Sequence, residues 1–247
     1  MVINSKNRNR GFFNNISGHY QNLIRKRPLH WMKLIVEPRM GEKVLDVGNG
    51  GVREFTTPQT SLYVGVDSSP EMLQKGKAEG IEKVCGEATR LSFRGQVFDT
   101  VFYRSLLHHL AGRDFERTME MVKKALREGS FCLKKNGNVI VIEPCLPNFL
   151  ERAERILFFI SRVFSFLTKQ SEVFLFSSET LIRSLQETGY REIKVWKEDN
   201  AERNLREWVS PFLGLPFVKI PRWLNPTKRI ILEGRKGESE INEKALL

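Results

Sequence analysis

Cysteine is scarce in this 247-residue chain. Cys85, Cys132 and Cys145 are odd in number and widely spaced, so they form neither a disulfide framework nor a CxxC pair. That usage fits a reducing cytoplasm, and no metal site is expected. Also missing is any uncharged apolar run of about 18 residues, which excludes a convincing membrane-spanning helix. The first ten residues, MVINSKNRNR, have no apolar segment behind their charges, so no signal peptide is expected. Acid is the minority charge: 29 Asp and Glu stand against 40 Lys and Arg, a formal net charge of +11. A basic protein can bind nucleic acid or an anionic membrane surface, but charge alone names no partner. Here the cations are scattered from Arg8 to Lys244, with only small clusters such as Arg25–Arg27. Their plainest reading is a solvated basic surface. Repeats and low-complexity tracts are absent too.

What the sequence does contain is alternation. Residues 1 to about 40 read as one or two helices interrupted near Pro28. From Lys43 onward KVLDV, LYVGVD, EKVCGE, FDTVFYRS and NVIVIEP read as buried strands. Between them SPEMLQKGKAEG and RDFERTMEMVKKALREG carry helical periodicity and are expected to stop at Gly80 and Gly129. Strands alternating with helices at this spacing imply parallel βαβ units and a sheet covered on both faces. SSETLIRSLQETGY predicts a helix capped by Ser177 or Ser178 and closed by Gly189. A sixth strand, REIKVWKED, and a seventh, KRIILEGRKG, follow.

In open α/β sheets, ligands bind beyond the carboxyl ends of the strands. KVLDVGNGGV (43–52) ends the first strand in bare backbone there, which lets a ligand approach with no Cβ in the way. A dinucleotide fingerprint would need a third glycine at position 53, which is Arg53. The phosphate-cradling pattern G-x-x-x-x-G-K-[ST] is absent, so nicotinamide and nucleoside triphosphate are both disfavoured. What accompanies the glycines is an acid on each of two neighbouring strands, Asp46 and Asp67.

At this point the chain resembles a family. VLDVGNGG, VGVDSSPEML, GEATRLSF, FDTVFYRSLLHHL and NGNVIVIEP look like the successive motifs of class I S-adenosylmethionine-dependent methyltransferases, in order and at about the family's spacing. The branch acting on small molecules and lipids is the most similar, over about residues 40 to 200. The resemblance implies a doubly wound, Rossmann-like, mostly parallel sheet of seven strands with the last antiparallel. It also implies S-adenosylmethionine as cofactor. Gly48 and Gly50, with Asn49 between them, would lie against its methionyl part, with Asp46 near the ammonium and Arg104 beside it. Asp67 would accept from both ribose hydroxyls, its two oxygens matching two parallel donors, with Ser68 adjacent. Met72 would pack on the adenine, Glu87 would accept from the adenine amino group, and the Ala88 amide would face a ring nitrogen. Each residue also has a plainer role: Asp46 capping the turn, Asp67 capping the helix, Glu87 a surface acid, Met72 ordinary core. Two departures stand out. The family's third glycine is Val52, and Pro58 leaves room only for a short helix before Asp67. The N-terminal segment around Tyr20 is expected to build the missing wall.

Methyl transfer from a sulfonium mainly requires alignment, with a base only if the acceptor must lose a proton. The candidates are His109 and His108 in LHHL; both can also be packing residues. Nucleic acid is the less favoured acceptor. YRSLLHHL lacks the Pro-Pro-aromatic turn of enzymes that methylate exocyclic amines, and Cys145 in EPC is a poor candidate nucleophile. Two aromatic segments, 149–167 and 208–226, are expected to overhang the crevice. In the first, Leu150, Ala153, Leu157, Ile160, Phe164 and Leu167 make one helical face, widened by Phe158, Phe159 and Phe166. With Trp208, Phe212, Phe217 and Trp223 they suggest an apolar pocket for a lipid-like acceptor, if they do not simply pack on each other. An amphipathic helix flanked by arginines also suits peripheral membrane contact of an otherwise cytoplasmic protein. The expected organisation is a helical extension over 1–40, a methyltransferase domain over 41–236 with lid insertions at 146–176 and 200–227, and a polar tail over 237–247. An RNA methyltransferase and a cofactor-binding protein without catalysis are the alternatives.

Overall fold

A computed structural model describes residues 5–25, 30–197, 208–209, 220–221 and 225–237. Two helices open the chain, α1 (Ser5–Arg25) and α2 (His30–Val36). The first five strands are β1 (Lys43–Val47), β2 (Leu62–Asp67), β3 (Glu82–Cys85), β4 (Phe98–Arg104) and β5 (Leu133–Cys145). Helices α3 (Pro70–Lys75) and α4 (Phe115–Cys132) lie between them, and α5 (Asn148–Leu167) and α6 (Ser178–Glu187) follow β5. Strand β6 (Tyr190–Lys197), a short antiparallel pair β7 (Trp208–Val209) and β8 (Ile220–Pro221), and β9 (Lys228–Lys236) complete the order. The main sheet runs β3-β2-β1-β4-β5-β9-β6, parallel except for β9, which is antiparallel to both neighbours.

The central strands are buried because both faces of the sheet are covered. On one face Leu45, Val66, Val101, Tyr103, Val139 and Val141 pack against α4 and α6 through Val122, Leu126, Leu181 and Leu185. On the other, Val44, Phe102, Ile140, Ile142 and Ile231 meet Met32, Val36, Met40 and Phe55. The sheet is therefore doubly wound, but one layer is improvised. No helix at all forms between β1 and β2: residues 52–57 are extended coil, where a short helix was expected. Pro58 and the loss of a third glycine account for this, and α2 with Phe55 covers the face instead.

Three features also differ from expectation, while the cap of α6 is one of the two serines expected. β3 is a mostly exposed edge strand, because the last strand of a sheet has only one neighbour to bury it. α3 stops at Gly76, whose N–H reaches Met72 O, and does not run on to Gly80. α4 continues through Gly129 to Cys132, since Gly129 is buried against the Tyr103 ring and no side chain would fit there. Ser177 caps α6 by accepting from the Thr180 N–H.

The largest correction concerns α5. Its inward side is polar: Glu151, Glu154, Arg162 and Ser165 face the body, with Phe158 buried and Leu150 half-buried among them. Glu151 accepts from the Ser177 N–H (2.6 Å) and the Thr180 hydroxyl, Glu154 from the Leu175 N–H (3.1 Å), and Arg162 pairs with Glu172. These charged bonds to strand-like backbone decide which side faces in. Burial pushes the Glu154 carboxyl up to about 7. Ala153, Leu157, Ile160 and Leu167, expected to face the crevice, point to solvent. The side chains of Phe164, Tyr20 and Trp208, together with Phe212, Phe217, Trp223 and the tail beyond 237, lie outside the described residues.

Candidate active site

The carboxyl ends of β1, β2 and β4 open into a cavity of about 1080 Å³, part of it open to solvent. The bend after Val47 is built from left-handed backbone, with φ of 75° at Gly48, 61° at Gly50 and 74° at Gly51. Gly51 also needs to be bare for packing: a Cβ there would meet Leu73 Cα and the Met72 carbonyl at 3.1 Å. From the other side, a Cβ on Gly76 would stand 2.2 Å from Gly51 O. The turn and the end of α3 are therefore pressed backbone to backbone.

Asp67, at the end of β2, ties these parts together. One oxygen accepts from the Gly50 N–H (2.9 Å) and the other from the Ser69 N–H (2.8 Å). Ser69, not Asp67, is the cap of α3, its hydroxyl accepting from Met72 N–H (3.1 Å). Burial raises the Asp67 pKa, opposed by these backbone donors. Asp46 accepts from the buried Tyr63 hydroxyl (2.6 Å). Loss of water pushes its carboxyl up to about 7, held from going higher by Tyr63 and by Arg104. Arg104 forms an ion pair with Glu54, which the extended loop after the glycine turn delivers.

The two histidines part company. His109 lines the cavity, its ring edge-to-face with Phe13 at 4.8 Å between centroids. Its Nδ1 lies 3.0 Å from the Ser171 hydroxyl, which itself donates to Asn9 Oδ1 (3.1 Å). That chain leaves the serine oxygen to accept an Nδ1–H, so Nε2 carries the lone pair. Burial, then the neighbouring His108, lowers the His109 pKa well below 6.5, and the ring is neutral at physiological pH. His108 does not line the cavity. It is buried beneath it, with Nδ1 2.5 Å from Glu143 Oε2. The other Glu143 oxygen accepts from the Leu106 and Leu107 N–H groups (2.8 and 2.7 Å), so one carboxylate fixes the whole LLHH turn.

All ten residues singled out for the cofactor line the cavity: Asp46, Gly48, Asn49, Gly50, Asp67, Ser68, Met72, Glu87, Ala88 and Arg104. The wall expected from the N-terminal segment is contributed by α1, through residues that sequence reasoning did not single out. Asn9 reaches in to donate to the carbonyls of His109 (2.8 Å) and Glu172 (2.9 Å), beside Arg10 and Phe13. An asparagine 100 residues from its partner leaves no local signal. Among the described residues, none from 146–176 lines the cavity, so the expected overhang of α5 is not part of its wall. Leu106, Leu110, Ala111 and Met121 form an apolar patch near His109.

The lining is opposite in sign to the protein. Four carboxylates, Asp46, Glu54, Asp67 and Glu87, face two arginines, Arg10 and Arg104, within a chain of net charge +11. Such a site favours a cation or a ligand rich in hydrogen-bond donors. Among the described residues no cluster of His, Cys, Asp and Glu could hold a metal ion.

Residues 45–141 match the family model described as a methyltransferase domain. A demethylmenaquinone methyltransferase from Corynebacterium kroppenstedtii is 29% identical over 174 residues, covering 64% of this chain and 72% of that one. One from Mycobacterium bovis is 33% identical over 109 residues, or 43% of each chain, so the match spans under half of that relative. Among solved structures, an S-adenosylmethionine-dependent methyltransferase from Thermotoga maritima superposes with a TM-score of 0.59 at 17% identity, covering 92% of this chain and 98% of that one.

Proposed function

Because this chain belongs to the class I S-adenosylmethionine-dependent methyltransferases, we propose that its cavity holds the cofactor and that the methyl group passes to an apolar, lipid-like acceptor such as a quinone. The observation carrying the cofactor reading is the acidic lining of a basic protein. S-adenosylmethionine brings a sulfonium and an ammonium, and when bound it supplies a methyl carbon already activated for displacement. The residues present fit it. Asp46 and Glu54 offer carboxylates to the cationic end, and the glycine turn offers backbone without side chains. Asp67 could exchange one of its two backbone bonds for ribose hydroxyls, and Met72 and Ala88 offer an apolar shelf. His109 would take a proton from the acceptor at Nε2, oriented through Ser171 and Asn9. The low pKa of its ring keeps that nitrogen free at neutral pH. For the acceptor, support comes from the relatives named for a quinone substrate and from the apolar patch beside His109.

Calorimetry with S-adenosylmethionine and S-adenosylhomocysteine tests the cofactor half. Micromolar binding is expected, weakened about tenfold to a hundredfold in Asp67→Ala by loss of charged hydrogen bonds. No binding, or equal binding by the variant, refutes the site. Turnover of a demethylated quinol tests the acceptor half, with His109→Ala lowering kcat about a hundredfold while cofactor binding holds. Methylation of RNA and not of the quinol would overturn it.

A further inference from the structure

Helix α5 is amphipathic with its apolar side outward. Ile156, Phe159, Leu167 and Phe149 are 81, 74, 71 and 69% exposed, and Leu157, Ile160, Val163 and Phe166 are exposed beside them. At 100° per residue these positions span the half of the helix opposite Glu151, Phe158 and Ser165. The three phenylalanines alone leave on the order of 100 Å² each in water, and the contiguous patch exceeds the few hundred Å² that monomers ordinarily show. Both acids of the helix, Glu151 and Glu154, are turned inward. The outward side therefore presents apolar residues and Arg152, with Lys169 just past its end. Exposed Arg113 stands at the edge, where its carbonyl accepts from Arg162, and Arg8 lies over the Phe166 ring.

We infer that this face docks on an anionic lipid bilayer. The charge is complementary: the apolar face itself carries Arg152 and no acid, Lys169 follows it, the edge arginines Arg113 and Arg8 are ion-paired to Asp114 and Glu172, and the chain is +11 overall. No helix among the described residues is long and apolar enough to cross a membrane, so the contact is one of lying on the surface. The face also adjoins the cavity. Arg8, over Phe166, precedes Asn9 of the cavity wall, and Ser171, four residues beyond Leu167, bonds His109. An apolar acceptor dissolved in the bilayer would thus enter beside the imidazole; this second part rests on the acceptor proposed above.

Flotation of the full chain with phosphatidylcholine vesicles, with and without phosphatidylglycerol, tests the docking. The chain is expected to float with the anionic vesicles, and salt should release it. Ile156→Glu with Phe159→Glu should weaken partitioning by on the order of tenfold per side chain. Both side chains stand in solvent, so melting temperature and cofactor binding should not change. The inference is overturned if the chain ignores anionic vesicles or if the double variant floats equally well. A dimer that the variant breaks, without vesicle binding, would overturn it and mark the face as a self-association surface. Retention on RNA but not on vesicles would overturn it as well. Vesicle binding without methylation of a quinol carried in them would support the docking and refute the acceptor.

Discussion

Asp46→Asn should make the protein more stable and its cofactor binding worse, and the gain should depend on pH. The carboxyl of Asp46 is buried at the end of β1, where loss of water raises its pKa from 3.8 to about 7. In the folded state it binds a proton more tightly than in the unfolded chain. Between those two values the folded protein therefore carries more protons, and stability falls as pH rises. The ionisation penalty is absent below about pH 4 and complete above about pH 7, where moving a carboxyl from 3.8 to about 7 corresponds to about 4 kcal/mol. Asparagine cannot ionise, and its carbonyl oxygen can still accept from the Tyr63 hydroxyl. The advantage of Asp46→Asn should thus grow by about 2 kcal/mol from about pH 5.5 to about pH 8. For a domain of this size that is a rise of about 4–8 °C in relative melting temperature. Calorimetric melts of both proteins at the two pH values, with titration of S-adenosylmethionine into each, make the assay. An advantage that is constant with pH, or absent, would refute the reasoning that desolvation dominates at Asp46. Unchanged cofactor affinity would separately remove Asp46 from the ammonium site.

Two further outcomes follow from packing and burial. Gly76→Ala puts a methyl 2.2 Å from Gly51 O, so the end of α3 must move away from the glycine turn. A loss of about 1–3 kcal/mol is expected in denaturant unfolding, together with weakened cofactor binding, whereas Gly18→Ala, in α1 with ordinary backbone and no atom within 4 Å, serves as the control. Among the cysteines, Cys85 is exposed, while burial pushes the Cys132 thiol up to about 11 and, with Glu143 and Glu151 nearby, raises Cys145 further. Iodoacetamide should label Cys85 alone in the native protein, read by peptide mass spectrometry; labelling of Cys145 would contradict its burial.

What could be read from the chain was what is local. The strands from Lys43 onward and the glycine turn are encoded by neighbouring residues, and of the ten cavity positions predicted nine sit at or just past strand ends, with Met72 on α3. Long-range partners were invisible. Asn9 and Phe13 reach the cavity only because α1 packs on α3, where Ser69 and Lys75 hydrogen-bond Asn14 and Ser17. The orientation of α5 was misjudged for a different reason. A 3.6-residue period reveals two faces but not which one turns inward, and the default that apolar faces turn inward fails here. Glu151 and Glu154 find backbone N–H groups along 175–177, and satisfying those buried donors outweighs hiding Ile156 or Phe159. Likewise, a net charge counted over the whole chain cannot report a small acidic hollow.

The absent helix after β1 has a bearing on how the chain reaches its native state. Met32 and Val36 of α2 belong to one apolar cluster with Ile231 of β9, roughly 200 residues away along the chain. During synthesis α2 leaves the ribosome early and meets Val44, Phe55, Tyr63 and Phe102 first, while Ile231 of β9 joins the cluster last. Here the cluster on one side of the sheet is complete only once β9 has been made, so this chain should depend on chaperones more than its short, regular strands would suggest.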